Sequence, residues 1–260
     1  MDTDDGLGCR LGRIEQMVRH AYWQTGCKGI VVGLSGGIDS AVAAVFCCRA
    51  VGPENVLGLL MPSSVSSPAD LRDAADLCNR FKIPHEVVSI DPMLEGFRTV
   101  PGFTETPYLH GNLMARIRMV TLYYYANRDH RIVCGTSNRS EYMLGYCTKY
   151  GDSAADIQPL LHLYKADIYV AAQELGIPEP IISKTPSAGL WAGQSDEKEI
   201  GLSYAEIDAA LRALEQHQWK AATPTEEKVL ALVRKSEHKR LSSPNLLADL
   251  QKCRDIVPGN

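Results

Sequence analysis

Nowhere in the chain do apolar residues run for the ~20 positions that a bilayer span requires. Basic charge is not in excess either: 27 Lys and Arg stand against 31 Asp and Glu, a net charge of −4. A broad nucleic-acid footprint needs clustered positive charge and is disfavoured. The cysteines, at 9, 27, 47, 48, 78, 134, 147 and 253, include no Cys-x-x-Cys pair. Several sit in apolar runs, where a thiol behaves as a small hydrophobe. Met1 to Gly8 is acidic and carries no apolar signal-like core. Repeats, low-complexity tracts and convincing linkers are missing as well. These absences point to a reduced, cytoplasmic protein with no membrane or nucleic-acid partner, folded as one domain over residues 1–260. An apolar content of 45% is enough for a full core.

What is present alternates between strand and helix patterns. Leu11 to Trp23 reads as an amphipathic helix, Gly29 to Val32 as a buried strand and 39–51 as a helix. Asn55 to Met61 and His85 to Ile90 read as strands, separated by a helix from Ser67-Pro68-Ala69-Asp70 to about Lys82. A long helix over about Asn112 to Asp129 precedes a strand at Arg131 to Gly135. Repeated β-α-β units with short, two-sided apolar strands predict a parallel sheet covered by helices on both faces. Beyond residue 150 the pattern is mostly helical: Tyr164 to Leu175, Ser203 to Glu215, Thr225 to Ser236 and Pro244 to Cys253.

The first strand runs into Gly33-Leu34-Ser35-Gly36-Gly37-Ile38-Asp39-Ser40. Gly36 and Gly37 permit backbone angles that side chains forbid, so successive N–H groups can converge on one point. The following helix adds unpaired amides and its positive dipole end, which together suit phosphate oxygens. Asp39 then faces a polyanion, a repulsion relieved by a hard cation, and magnesium is the expected one. No Lys stands where a Walker A loop requires it.

Helix 112–129 is apolar on two sides. Leu113, Ile117, Val120 and Tyr124 form one stripe; Met114, Leu122 and Tyr125 form another. One face can pack on the sheet and the other can meet a second subunit.

The loop resembles the Ser-Gly-Gly-x-Asp-Ser pyrophosphate loop of ATP pyrophosphatases of the N type. Downstream segments resemble ammonia-dependent NAD synthetases of that superfamily, over about residues 29 to 240. They are Gly111-Asn112-Leu113-Met114-Ala115-Arg116-Ile117-Arg118-Met119, Gly135 to Glu141, Thr148 to Asp156, Leu161 to Lys165, Lys184 to Leu190 and Glu237 to Arg240. The resemblance implies a doubly wound α/β fold of the adenine nucleotide alpha hydrolase-like kind with a helical C-terminal part. It implies a ligase that adenylates the nicotinate carboxylate of deamido-NAD with ATP and Mg2+, then lets ammonia displace AMP. Residues 33–40, Thr136, Lys165 and Ser187 would meet ATP, with Asp39 and Lys165 carrying the chemistry. Arg116, Lys149, Asp156, His238 and Lys239 would meet deamido-NAD, and Asp39 and Glu141 would hold magnesium. A homodimer is implied too. The chain leaves no room for a glutamine-hydrolysing domain of usual size, so free ammonia is the expected nitrogen source.

Two departures from the family pattern stand out. Ser137-Asn138-Arg139 occurs where many relatives carry Asp-His-Ala, and Ser153-Ala154 replaces a glycine pair. Segment 183–201 contains a polar, glycine-containing stretch that suits a lid. Two other readings stay open: another pyrophosphatase-loop enzyme such as a GMP synthetase module, or a nucleotide-binding module without catalysis.

Overall fold

Short runs rich in Val, Ile and Leu pair into one parallel sheet. In the computed structural model, which describes residues 7–187, 189, 191 and 193–241, the strands are β1 (Gly29–Gly33), β2 (Val56–Leu60), β3 (His85–Val87) and β4 (Arg131–Cys134). They lie in the order β3-β2-β1-β4. Ile30 of β1 stands level with Val56 on one side and Ile132 on the other.

The two-residue alternation of a strand divides the core cleanly. Ile30, Val32, Val56, Leu60 and Ile132 enter one cluster; Val31, Leu57, Leu59 and Val133 enter the cluster behind the sheet. Helices α1 (Leu7–Thr25), α2 (Ile38–Val51) and α3 (Pro68–Phe81) supply the first. Helices α4 (Asp91–Phe97) and α5 (Pro107–Asp129) supply the second. The sheet is therefore covered on both faces, as the strand pattern predicts.

Among the described residues six further α-helices follow: α6 (Arg139–Leu144), α7 (Lys165–Glu174), α8 (Glu179–Ile182), α9 (Asp196–Ile200), α10 (Tyr204–Gln216) and α11 (Pro224–Lys235). Of these, α7 and α8 add to the first cluster. Ile207, Leu211, Leu214 and Val229 form a third cluster, which also takes in Leu144 of α6.

Boundaries differ from the sequence reading where a cap outranks periodicity. Helix α5 begins five residues before Asn112, because the Thr106 side chain accepts from Leu109 N and Pro107 fills the first turn. Strand β3 ends at Val87, since Ile90 caps α4 and Asp91-Pro92 opens it. The helix expected at Pro244 to Cys253 lies outside the described residues. On α5, Met114 and Tyr125 are buried as one stripe predicts, with Leu122 half-buried. The other stripe splits: Ile117 is buried, whereas Val120 and Tyr124 are exposed.

This topology fixes where a ligand goes. From β1 the chain proceeds to β2 and β3 on one side, while β4 lies on the other. The carboxyl ends of β1 and β4 thus flank the crevice at the switch point. Phe46, fully buried on α2, fills the layer behind that crevice. Phe46→Ala should cost about 3–5 kcal/mol of unfolding free energy by urea titration; a loss under ~1 kcal/mol would contradict its packing.

Candidate active site

Beyond β1 the loop is shaped by its own small side chains. Leu34 N donates to Leu59 O at 2.9 Å, so the turn leaves from the sheet's edge of pairing. Gly36 has φ +78°, a left-handed conformation natural to glycine. Ser35 N donates to Ser40 Oγ at 3.3 Å, and Ser40 Oγ donates to Gly37 O at 2.9 Å. Gly37 caps α2 without a side chain. The first-turn amides of this helix therefore keep the positive potential that attracts an anion.

Three charged residues meet beside the loop. Lys165 opens α7 and is 2% exposed. Its Nζ donates to Asp39 Oδ2 at 2.5 Å and to Glu141 Oε1 at 3.2 Å. Asp39 comes from the first turn of α2, and Glu141 from the first turn of α6. Burial alone would lower the Lys165 pKa, but the two carboxylates reverse that and raise it, so the cation is permanent. Burial and the neighbouring Asp39 charge push Glu141 up to about 7, against the pull of Lys165. The Tyr204 ring faces the ammonium at 4.9 Å, and Tyr204 donates to Asp196 Oδ2 at 3.1 Å.

Two carboxylates that converge on one cation also suit magnesium, which takes one or two carboxylates and fills its shell with phosphate oxygens and water. Among the described residues no cluster of three or more His, Cys, Asp or Glu forms a self-sufficient metal site. In this arrangement the convergence point is taken by Lys165.

A cavity of about 960 Å³ opens over these groups at the ends of β1 and β4. Its wall includes Gly33, Leu34, Ser35, Gly37, Ile38, Asp39 and Ser40 of the loop, together with Thr136, Glu141, Lys165, Ser187 and Lys239. Apart from Gly36, which is not on the wall, the residues matched to ATP thus share one space, although they come from distant parts of the chain. Thr185, Pro186, Trp191 and Gln194 of segment 183–201 also border it.

Residues matched to the dinucleotide are placed differently. Arg116 is exposed and donates to Lys149 O at 3.2 Å; Lys149 Nζ donates to His238 O at 2.6 Å. These three are linked to one another at the protein surface. Asp156 accepts from Val133 N at 2.8 Å and from the Tyr123 hydroxyl at 3.2 Å, which fixes it against β4. Lys239 donates to the carbonyls of Gly145 and Cys147 at 2.7 and 2.6 Å.

Sequence reasoning missed three wall or support residues. Arg118 borders the cavity, donates to Met61 O at 3.1 Å, and has its pKa lowered by burial. Asp152, also on the wall, accepts from Thr148 N at 2.8 Å and is raised by burial. Asn138 is fully buried and donates to Asp39 Oδ1 at 2.8 Å. It also forms a capping box with Glu141, whose Asn-x-x-Glu signature is readable from sequence.

The chain is similar to known proteins along most of its length. The NAD synthase family profile matches residues 10–243. An NH(3)-dependent NAD(+) synthetase from Methanoregula boonei is 69% identical over 242 residues, 93% of this chain and 98% of that one. Among solved structures, an NMN synthetase from Francisella tularensis superimposes with a TM-score of 0.85 at 36% identity, covering 92% of this chain and 98% of the other. An NH3-dependent NAD synthetase from Campylobacter jejuni superimposes at 0.80 with 34% identity, covering 93% and 99%. The chain belongs to the NAD synthase family.

Proposed function

We propose that this protein amidates deamido-NAD to NAD, using ATP and ammonia and releasing AMP and pyrophosphate. The observation that carries the reading is the cavity at the switch point, where an uncapped helix start and glycine loop face Lys165, Asp39 and Glu141. In the first half-reaction the nicotinate carboxylate, already ionised, attacks the α phosphorus of ATP. The loop amides of residues 35–40 and the fixed Lys165 cation take up the charge of the departing pyrophosphate, while Thr136 and Ser187 hold the nucleotide. Ammonia then attacks the acyl carbon and AMP leaves. Pre-oriented dipoles and charge supply most of the acceleration. Asp39 and Glu141 would hold magnesium, which when bound neutralises phosphate charge. These substrates imply a cytoplasmic location.

Arg116, Lys149 and His238 lie together at the surface, on the side where α5 exposes Val120 and Tyr124. Arg116, Val120 and Tyr124 recur every four residues, so they share one helix face. Between Arg116 and the exposed Arg128 that face presents Val120 and Tyr124 to solvent and suits a second copy of the chain. The reading places deamido-NAD between Arg116, Lys149, Asp156, His238 and Lys239 and the partner of a homodimer.

The 36% identity to an NMN synthetase favours a test of substrate size. Wild-type protein with ATP, Mg2+ and ammonium should form NAD and AMP from deamido-NAD with a higher kcat/KM than the amide from nicotinic acid mononucleotide. The reverse order would move the activity to the mononucleotide. Asp39→Asn should lower kcat at least about a hundredfold with the melting temperature retained; near-normal turnover would remove Asp39 from the chemistry. Sedimentation should give a dimeric mass for the wild type and a monomeric mass for Val120→Asp/Tyr124→Asp. A monomeric wild type would overturn the homodimer.

A further inference from the structure

Lys184, two residues beyond α8, has no role in the scheme above. Its Nζ donates to the backbone carbonyl of Gly36 at 2.9 Å, to Asp70 Oδ1 at 2.7 Å and to Asp73 Oδ2 at 2.7 Å. Three separate pieces of chain meet at this one cation: the glycine loop, the start of α3, and the segment leading to Ser187. Loop and helix are already pressed together there. A Cβ on Gly36 would come within 2.3 Å of the Asp70 carbonyl oxygen. Burial works against the charge on Lys184, but the hydrogen bonds to Asp70 and Asp73 outweigh it and raise the pKa.

A trans peptide unit is planar, so its C=O and N–H point in opposite directions. The Gly36 carbonyl is drawn to Lys184. The Gly37 N–H in the same unit must therefore point away from Lys184, where Ser35 Oγ accepts it at 3.2 Å. Gly37 and Ser35 both border the cavity. Glycine has no side chain to impose such an orientation and the greatest backbone freedom to lose. Ser35 Oγ holds the amide side of the unit, and Lys184 holds its carbonyl side.

We propose that Lys184 is a positioning residue for the phosphate loop. Its ammonium fixes the Gly36–Gly37 peptide with the Gly37 amide toward the ATP phosphates, and it ties that orientation to the segment bearing Ser187. The inference rests on the reading that residues 33–40 hold those phosphates. Lys184 is not itself a phosphate ligand, because two carboxylates at 2.7 Å already cancel its charge.

The test uses the full-length protein, with rates measured against ATP and deamido-NAD separately, inhibition by inorganic pyrophosphate, and a thermal melt. Lys184→Met should raise both the KM for ATP and the inhibition constant for pyrophosphate about tenfold. The KM for deamido-NAD should stay within about twofold of wild type, since no loop contact is lost to that substrate. Lys184→Arg should recover most of the loss. Asp70→Asn should leave the ATP KM within about twofold, because Asp73 still holds the ammonium. An unchanged ATP KM in Lys184→Met with a normal melt would overturn the proposal. So would a lowered ATP KM in Asp70→Asn, which would mark a released lysine acting on phosphate directly. If Lys184→Met melts below the assay temperature, Lys184→Gln is read by the same criteria. Wild-type protein that is not inhibited by pyrophosphate would instead remove the loop reading on which the proposal stands.

Discussion

The ammonium of Lys165, held between Asp39 and Glu141, is the contact on which the site's geometry depends. Its partners begin α2 and α6, the helices that leave β1 and β4. Those two strands flank the crevice, so the ion triad closes the gap that the topology opens. Removing three charges from water is costly, and the attraction offsets this only when the geometry is good. Further polar partners lie beside the acids: Asn138 donates to Asp39, and the Tyr204 hydroxyl, whose proton goes to Asp196, lies 3.4 Å from Glu141. Two negative charges against one positive leave the cluster with an excess of acid. Burial first, and then that excess through Asp39, raises the Glu141 pKa, and the excess gives a further cation a reason to bind.

The helical C-terminal part fastens this cluster from behind. Asp208 of α10 accepts from the Ser140 hydroxyl on α6 and, at 2.9 Å, from Ala166 N on α7. Ser140 Oγ in turn accepts from Lys165 N at 3.0 Å. One buried carboxylate thus sets the relative position of the helices that present Glu141 and Lys165. The apolar side of α10 is anchored by Ile207, Leu211 and Leu214, all inaccessible to solvent. Packing energy spent there becomes precision at the site, because a misplaced acid or ammonium would lose most of its electrostatic value.

The parts of this organisation legible in the sequence are those whose causes are local. Glycines, two serines and an aspartate within eight residues specify the loop, and periodicity specifies the sheet and its covering helices. Asp39 and Ser40 follow directly from that spacing. Glu141 and Lys165 do not: nothing near them in sequence states that they will face Asp39, and resemblance alone links them. Arg118 and Arg116 show the limit most clearly. Both lie on one helix two positions apart, and only the direction of the helix against the sheet decides that Arg118 borders the cavity while Arg116 faces outward.

The two departures from the family pattern become intelligible as replacements of local function. In Ser137-Asn138-Arg139, Asn138 caps α6 through Glu141 and braces Asp39, so one amide orients both acids. Arg139 Nε donates to Glu215 at 3.0 Å, and its guanidinium lies 5.5 Å from the Tyr164 ring, which joins α6 to α10. An alanine in place of Arg139 would carry neither the ion pair nor the ring contact. In Ser153-Ala154, Ser153 Oγ donates to Thr148 O at 3.0 Å and Ala154 N to Gly151 O at 3.0 Å. The turn that two glycines would make flexible is instead closed by its own hydrogen bonds. It holds Asp152 on the cavity wall without needing a residue in the left-handed region at 153 or 154. The replacement of the glycine pair exchanges backbone freedom for fixed contacts beside Ala154 on the cavity wall, which lowers the entropy lost when a substrate settles there.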